Sequence, residues 1–249
     1  MATSQNIILD KNNSFTIRVN PWDTSVFEFT VTEVFDLNYT DEKIIFKEID
    51  RINLILSSQL CCLRHNSKDI KAKKSLLANG FYVAENSLQA NFNLKKTKTK
   101  KYFDFYLAET KQLSDLQVIA ARDFHYSRFH EDPYIDIEKA KLRYVNWITS
   151  LVESANCWIA QNQEEKIIGF FAYTVDSDII NINIVGINSL FQGYGLFFFS
   201  SMMEFLKARG TTAKARFSAG NTDVLNVYAG LGFTFSNSLI DYHKWYTKP

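Results

Sequence analysis

Apolar and polar positions alternate over Phe27–Val34, which predicts a strand, and Asp41–Asn53 then reads as a helix starting after a Thr/Asp cap. Leu54–Leu63 reads as a strand in spite of its serines. Asp69–Ala78 reads as a helix stopped at Asn79-Gly80, where glycine suits the left-handed conformation past a helix end. Phe81–Leu94 is extended. The pattern sharpens after the lysine-rich stretch 95–101: strand Tyr102–Ala108, helix Gln112–Phe124, and a long helix Ile137–Glu153 with Leu142, Val145, Trp147, Ile148 and Leu151 as its apolar residues. Three strands follow, Cys157–Ala160, Ile167–Val175 and Ile179–Ile187. The chain closes with helix Tyr194–Arg209, strand Ala213–Phe217, helix Asn221–Ala229 and strand Leu239–Trp245. Strands alternating with helices predict an α/β sheet protein.

A faint repeat runs through this order. Gly80-Phe81 with Asn86-Ser87-Leu88 recurs as Gly232-Phe233 with Asn237-Ser238-Leu239, each copy following a helix and opening a strand. The lysine run divides the chain into a first half, 1–95, and a second, 102–249. The run itself reads as a solvated linker or as a local binding patch.

Composition narrows the class. The 249 residues are 46% hydrophobic and carry only 9 Gly and 3 Pro, so a large core can form and a disordered or collagen-like chain is excluded. Lys plus Arg is 28 and Asp plus Glu 27, so no global field favours nucleic acid or an anionic membrane as partner. Cys61, Cys62 and Cys157 form no disulfide framework and no zinc pattern, so reduced thiols and no metal are expected. Met1–Asn13 lacks the basic start and apolar stretch of a signal peptide, and no apolar run spans a bilayer. A cytoplasmic protein without a membrane partner is the expectation.

Two segments carry chemistry. In Val185–Phe197 (VGINSLFQGYGLF) a strand ends at Ile187 and a helix starts near Gly195, with Gln192-Gly193-Tyr194-Gly195 at the junction. Free backbone N–H groups and the helix dipole at such a start can hold a pyrophosphate, and glycines allow close approach. Asn221–Phe233 places Asn221 and Tyr228 seven residues apart, on one helix face, before Leu231-Gly232-Phe233. Alone, the glycines read equally as a turn and Tyr228 as a core tyrosine.

Together, in this order and spacing, the segments resemble the GNAT superfamily of acyl-CoA N-acyltransferases over roughly Tyr102–Tyr246. Gln192, Gly195 and Phe197 match its Arg/Gln-x-x-Gly-x-Gly/Ala motif, and Asn221 to Phe233 its Asn…Tyr-x-x-Leu-Gly-Phe motif. The resemblance implies an α/β (α+β) GNAT fold with a mixed, splayed central sheet. It also implies an acyl-CoA co-substrate, acetyl or 3-hydroxybutyryl, entering where the strands ending near Ile187 and Phe217 part. Amides of Gln192, Gly193, Tyr194, Gly195, Leu196 and Phe197 would bind its pyrophosphate, with Asn221 beside them. Val185 and Ile187 would hold the pantetheine arm and thioester carbonyl, and Tyr228 would protonate the departing thiolate as general acid. Phe197 departs from the family's Gly/Ala, so its ring must point away from the phosphates. Asn181 and Asn183 replace a Glu base that many members carry on the central strand.

Pro21–Phe27 and Ser127–Phe129 are similar to nucleotide-sugar N-acyltransferases of the dTDP-fucosamine acetyltransferase type. A related type transfers 3-hydroxybutyryl to dTDP-3-amino-3,6-dideoxygalactose. This resemblance implies a small-molecule acceptor, a dTDP-linked amino sugar for surface polysaccharide; the sequence leaves the oligomeric state open, a homo-oligomer being the usual outcome for such enzymes. Arg128 would contact the diphosphate or form a surface ion pair, and His130 would serve as base or as a polar loop residue. Trp22 and Phe27 would stack on a base or sugar or pack between the halves. Asp23 would bind a sugar hydroxyl or cap a turn, and Tyr134 would complete the acceptor pocket. The position matching Tyr228 in the first half is Leu76, and that half lacks a glycine loop, so it reads as a degenerate GNAT-like copy on the acceptor side. A protein or other small-molecule amine as acceptor, a tRNA-dependent aminoacyl transferase and a non-catalytic acyl-CoA-binding module are the competing readings.

Overall fold

A computed structural model describes residues 4–248. Its chain divides into two compact units. The first comprises 1–87, 128–140 and 238–249, and the second 88–127 and 141–237. Neither is contiguous, so the units do not follow the boundary at the lysine run.

The first unit opens with the hairpin of β1 (Gln5–Asp10) and β2 (Asn13–Val19), followed by α1 (Pro21–Phe27), β3 (Val31–Asn38), α2 (Glu42–Ile55), β4 (Leu60–Asn66), α3 (Ile70–Ala78) and the start of β5 (Tyr82–Asn93). In β2, Phe15 and Ile17 alternate inward and carry no exposed surface. In α2, Ile45, Ile49 and Ile52 recur at helical spacing and meet Phe15, Ile17 and Leu63 in one core. Pro21 at the first position and Asn20 at the cap start α1. The Asp23 amide donates to Asn20 Oδ1 (3.0 Å), and Asn20 Nδ2 donates back to Asp23 Oδ2 (2.9 Å). Three sequence readings shift here. The strand expected at 27–34 begins at Val31, because Phe27 ends α1. The one expected at 54–63 begins at Leu60, because α2 runs through Ile55, leaving Leu54 and Ile55 as exposed apolar residues of its last turn. Residues 102–105 carry no strand; only Tyr106–Leu107 (β6) pair.

The second unit contains the end of β5, then β6, α4 (Leu113–Asp123), most of α5 (Ile137–Glu153), β7 (Trp158–Gln161), β8 (Ile167–Asp176), β9 (Ile179–Ile187), α6 (Gly195–Leu206), β10 (Thr212–Ser218), α7 (Thr222–Gly230) and the start of β11 (Thr234–Trp245). Its strand order is β5-β10-β9-β8-β7-β6; that of the first unit is β1-β2-β3-β4-β11-β5. Both sheets are mixed and open. Phe198, Phe199, Met202, Met203 and Leu206 of α6 pack on Ile180, Ile182 and Ala215, while α4 and α5 cover the sheet with Leu116, Ile119 and Ile148.

The two units repeat one plan. In each, a strand, a helix and a parallel strand form a crossover: β3-α2-β4 with Val31 opposite Leu60, and β9-α6-β10 with Thr212 opposite Ile179. In each, the next helix ends on a left-handed glycine, Gly80 at φ +83° and Gly232 at φ +86°. The same bond follows: Phe81 N–H donates to the Leu76 carbonyl (3.1 Å), and Phe233 N–H to that of Tyr228 (3.0 Å). Both strands that follow, β5 and β11, begin in one unit and end in the other. The repeat read in the sequence is thus a structural one.

Candidate active site

Strand β9 parts from β10 halfway along. Their pairing covers only Thr212–Ala215 against Ile179–Ile182. On its other edge β9 carries a bulge, since Ala172 faces Ile184 and Tyr173 faces Ile182, leaving Asn183 as the extra residue. A bulge bends a strand and sharpens its twist, which turns residues 183–187 away from β10. The β10-facing amides and carbonyls of that stretch have no strand partner, an edge that an extended ligand can pair with.

A cleft of about 530 Å³ opens at this divergence. Of the residues expected to hold acyl-CoA, Val185, Ile187, Gln192, Gly195 and Asn221 line it, with Phe199, Val224 and Val227 from the two helices. Gly193, Tyr194, Leu196 and Phe197 belong to the same loop and first helical turn without lining the cleft. Phe197 turns its ring onto Tyr102 (4.9 Å between centroids), and Tyr194 meets Phe103.

The loop is held from below. Asn188 Oδ1 accepts from the Leu190 amide and from Arg122, and its Nδ2 donates to the Ile167 carbonyl (2.8 Å). Asp123 accepts from the Ser189 amide (3.0 Å) and pairs with Arg122. Partial burial raises the Asp123 carboxyl, but these hydrogen bonds outweigh it and hold it below the usual carboxylate range. Above, the loop is open. No side chain caps α6, and a Cβ built on Gly193 or Gly195 meets nothing within 4 Å. Neither glycine has a positive φ. The turn therefore does not demand them; their effect is to leave the backbone of the helix start uncovered, although a 3-10 turn, Ser189–Tyr194, leads into α6 and the Gly195 N–H donates to the Gln192 carbonyl within it. The counterpart helix α2 differs at this point. Its start is closed by Asp41, whose carboxylate accepts from the Lys43 and Ile44 amides, and Glu42 follows. A helix start already filled by a carboxylate offers no phosphate site, so the first unit is degenerate in its chemistry while keeping the crossover.

Tyr228 is 1% exposed, with its ring stacked on Phe233 (4.4 Å) and edged by Phe199 and Phe217. It does not itself line the cleft; Val224, one turn earlier, and Phe199 do. Its hydroxyl makes no hydrogen bond among the described residues, and burial pushes its pKa up. The phenol therefore holds its proton throughout the neutral range.

Sequence reasoning passed over Asp123, Gly186 and Asp223 of this cleft, and gave Phe124, His125 and Tyr126 no individual role. Gly186 gave a signal, being a glycine inside a strand. A Cβ there would meet the Phe124 ring at 2.8 Å.

The six residues expected on the acceptor side all belong to the first unit, and none lines this cleft. Trp22 and Tyr134 are partly exposed. Tyr134 lies under the Lys248 ammonium (3.8 Å) and edge-on to Tyr82 and Trp245. His130 is half-buried. Phe27 is a correction: it is 1% exposed, between Phe29 and Phe129, with no face left for a base or sugar. Asp23 is fully buried; Asn20 is the cap of α1, and the Asp23 carboxylate accepts from Asn20 Nδ2 and from Arg128. Arg128 is also a correction. Its guanidinium donates to Glu33 (2.7 Å), Asp23 (3.3 Å) and Asp241 (3.4 Å), so its charge is spent inside the unit and neither a surface pair nor a diphosphate accounts for it. Arg18 and Arg64 extend the network through Glu33 and Asp241. Burial raises the Glu33 carboxyl, but Arg128 and Arg18 overcome this and bring it down to about 2.

Glu85 accepts from the Arg128 amide (2.9 Å), and burial together with Asp241 pushes its carboxyl from 4.5 up to about 7. A folded-state pKa above the unfolded one means the native state binds more protons, so stability falls as pH rises from about 4.5 to 7. Glu85→Gln keeps an acceptor and removes this loss. Urea unfolding at pH 8 is expected to show it more stable by up to about 3 kcal/mol, with the gain vanishing near pH 4.5. A gain independent of pH would place its origin elsewhere.

Among the described residues no three His, Cys, Asp or Glu side chains are grouped to hold a metal ion, and no helix is long and apolar enough to cross a membrane. All three cysteines are free and buried.

No protein-family model and no curated protein sequence matches the chain. Solved structures do. An acetyltransferase of the GNAT family from Colwellia psychrerythraea aligns over 98% of this chain and 85% of its own, with a TM-score of 0.59 at 14% identity. A GCN5-related N-acetyltransferase from Kribbella flavida aligns over 97% and 90%, with a TM-score of 0.62 at 9% identity. The mixed sheet, its splay and these likenesses define the GNAT fold. A tandem GNAT protein from the clavulanic acid biosynthesis pathway aligns over 98% of this chain and 83% of its own (TM-score 0.61, 7% identity), which fits a GNAT fold preceded by a degenerate GNAT-like half.

Proposed function

We propose that the second unit is an acyl-CoA-dependent N-acyltransferase. The observation that carries this reading is the pairing of an uncapped, glycine-opened helix start with a strand edge that has lost its partner. The first suits a pyrophosphate and the second an extended pantetheine arm, and one cleft contains both. In this reading the arm pairs with β9 at Val185 and Ile187, and a β9 amide meets the thioester oxygen as it becomes an oxyanion. A neutral amine attacks the carbonyl carbon, the C–S bond breaks, the sulfur takes a proton from Tyr228, and the nitrogen loses its own proton to water, from which Tyr228 is reprotonated. An amide and free CoA leave. His125 and Tyr126 line the same cleft, and in this reading they meet the amine.

The acceptor is a small amine. The finer reading, a dTDP-linked amino sugar, rests on Pro21–Phe27 and Ser127–Phe129. With Phe27 and Arg128 committed internally, it keeps Trp22, His130 and Tyr134 as its candidate contacts.

Free-thiol release from acetyl-CoA and 3-hydroxybutyryl-CoA, assayed against dTDP-linked 3-amino and 4-amino sugars and simpler amines with mass analysis of the product, tests the reading. An amide with any amine supports it; CoA binding without amide formation would reduce the protein to an acyl-CoA-binding module. Gly195→Glu separates binding from folding. The new side chain enters open space at a helix start that tolerates a carboxylate, so stability is expected to hold. Acyl-CoA affinity is expected to drop about tenfold or more, as calorimetry would register, because the carboxylate sits where the phosphates dock.

A further inference from the structure

We propose that the first unit holds a ligand site of its own, for a small monocarboxylate, at the fork where β3 leaves β4. The site stands on the first unit alone and does not depend on the acyl-CoA reading of the second. The fork repeats the geometry of the other cleft. β3 pairs with β4 only over Val31–Val34 against Leu60–Leu63. On its other edge β3 carries one extra residue between the pairs Phe35–Thr16 and Asn38–Ser14, and Asp36 sits there at φ +54°. β9 does the same, leaving β10 after Ile182 and bulging at Asn183.

A cavity of about 340 Å³ opens at this fork, at the small end of the range for small-molecule sites. Three of the chain's eight arginines line it, Arg18, Arg64 and Arg128, with Glu33 as the one carboxylate among the lining residues. The ion network behind it is balanced but polarised. Asp23 and Asp241 are buried and do not line the cavity, whereas the guanidinium groups do. Arg128 spends its charge inward, but the other two keep donors to spare. Arg64 reaches both Asp241 oxygens through Nε, and Arg18 reaches Glu33 through Nε and Nη2. Both Nη groups of Arg64 and Nη1 of Arg18 therefore have no acceptor among the described residues. Arg18 does not trail into solvent; its guanidinium lies over the Phe35 ring (5.3 Å), beside the cavity. Planar forks of this kind match the two oxygens of a carboxylate. Glu33, Asp23 and Asp241 already balance the three arginine charges, so one further negative charge suits the site better than the two of a phosphate. Val34, Phe35 and Cys62 supply the wall against which a short carbon body can rest.

Phenylglyoxal labelling of arginines on the full chain, mapped by mass spectrometry with and without butyrate, tests the site. Butyrate is expected to slow the labelling of Arg18 and Arg64 saturably, by about tenfold at a concentration about tenfold above its Kd. Arg51, an exposed arginine paired with Glu48 on α2, is expected to react at an unchanged rate. Butyramide, the uncharged isostere, is expected to protect neither cavity arginine, and inorganic phosphate to protect them less than butyrate does. Arg64→Lys keeps a positive charge beside Asp241 and loses the fork, so the Kd for butyrate, read from protection of Arg18, is expected to rise about tenfold. Labelling of Arg18 and Arg64 that butyrate does not slow, or slows no more than that of Arg51, would overturn the proposal. So would equal protection by butyramide, stronger protection by phosphate, or a Kd for butyrate that Arg64→Lys leaves unchanged.

Discussion

Tyr228→Phe is expected to lower kcat by about a hundredfold or more while leaving the Kd for acyl-CoA unchanged. General acids contribute about 10²–10⁴ in rate, and the proposed mechanism assigns that role to the Tyr228 hydroxyl. Burial holds the phenol neutral, so it arrives at the thiolate with its proton. Phe233, Phe199 and Phe217 hold the ring, so phenylalanine refills the same space without a cavity. Steady-state turnover and calorimetry on one preparation separate the effects. A fall in kcat at constant Kd identifies proton donation, whereas a matching loss of stability would identify a packing residue. Unchanged turnover would remove Tyr228 from the mechanism.

Arg128→Met is expected to destabilise the protein by about 3–5 kcal/mol, the cost of removing one partner from a buried ionic network. Asp23 is wholly buried and Asp241 nearly so, and both lose a charged donor with the guanidinium. Glu33 retains Arg18, but its carboxyl, now at about 2, is expected to rise toward its ordinary value. The sign in pH follows. Glu33's pKa is lowered on folding, so its contribution is present above about 4.5 and lost as pH falls through about 2. The gap between wild type and variant should therefore narrow in acid. Urea unfolding at several pH values measures both effects; a cost below about 1 kcal/mol would mean the network behaves as surface ion pairs do.

The donor half of the site was legible in the sequence because its parts are local. A strand end, a glycine loop and a helix start fall within Val185–Phe197, and one helix carries Asn221 through Gly232. Five of the residues named from those segments line one cleft. The acceptor half was not legible, because what decides it is contact between distant residues. Nothing near Arg128 in sequence announces that Asp23, Glu33 and Asp241 surround it, so a buried ion hub read as a free cation. Phe27 looked available because the helix it ends, α1, was not foreseen. Leu54 and Ile55 read as strand because apolar residues on an exposed helical turn defeat periodicity. His125 and Tyr126 lie next to Ser127–Phe129, which was read for its acceptor chemistry, yet only the fold shows that 124–126 line the cleft and 128–140 belong with the first unit.

Hydrogen exchange with and without acetyl-CoA tests most directly whether the helix start and the freed strand edge are the donor site. The expected result is slowed exchange confined to two stretches, the amides of 192–197 and those of 183–187. Acetyl-CoA binding that leaves both stretches unprotected, or no binding at all, would contradict the assignment of this cleft to acyl-CoA.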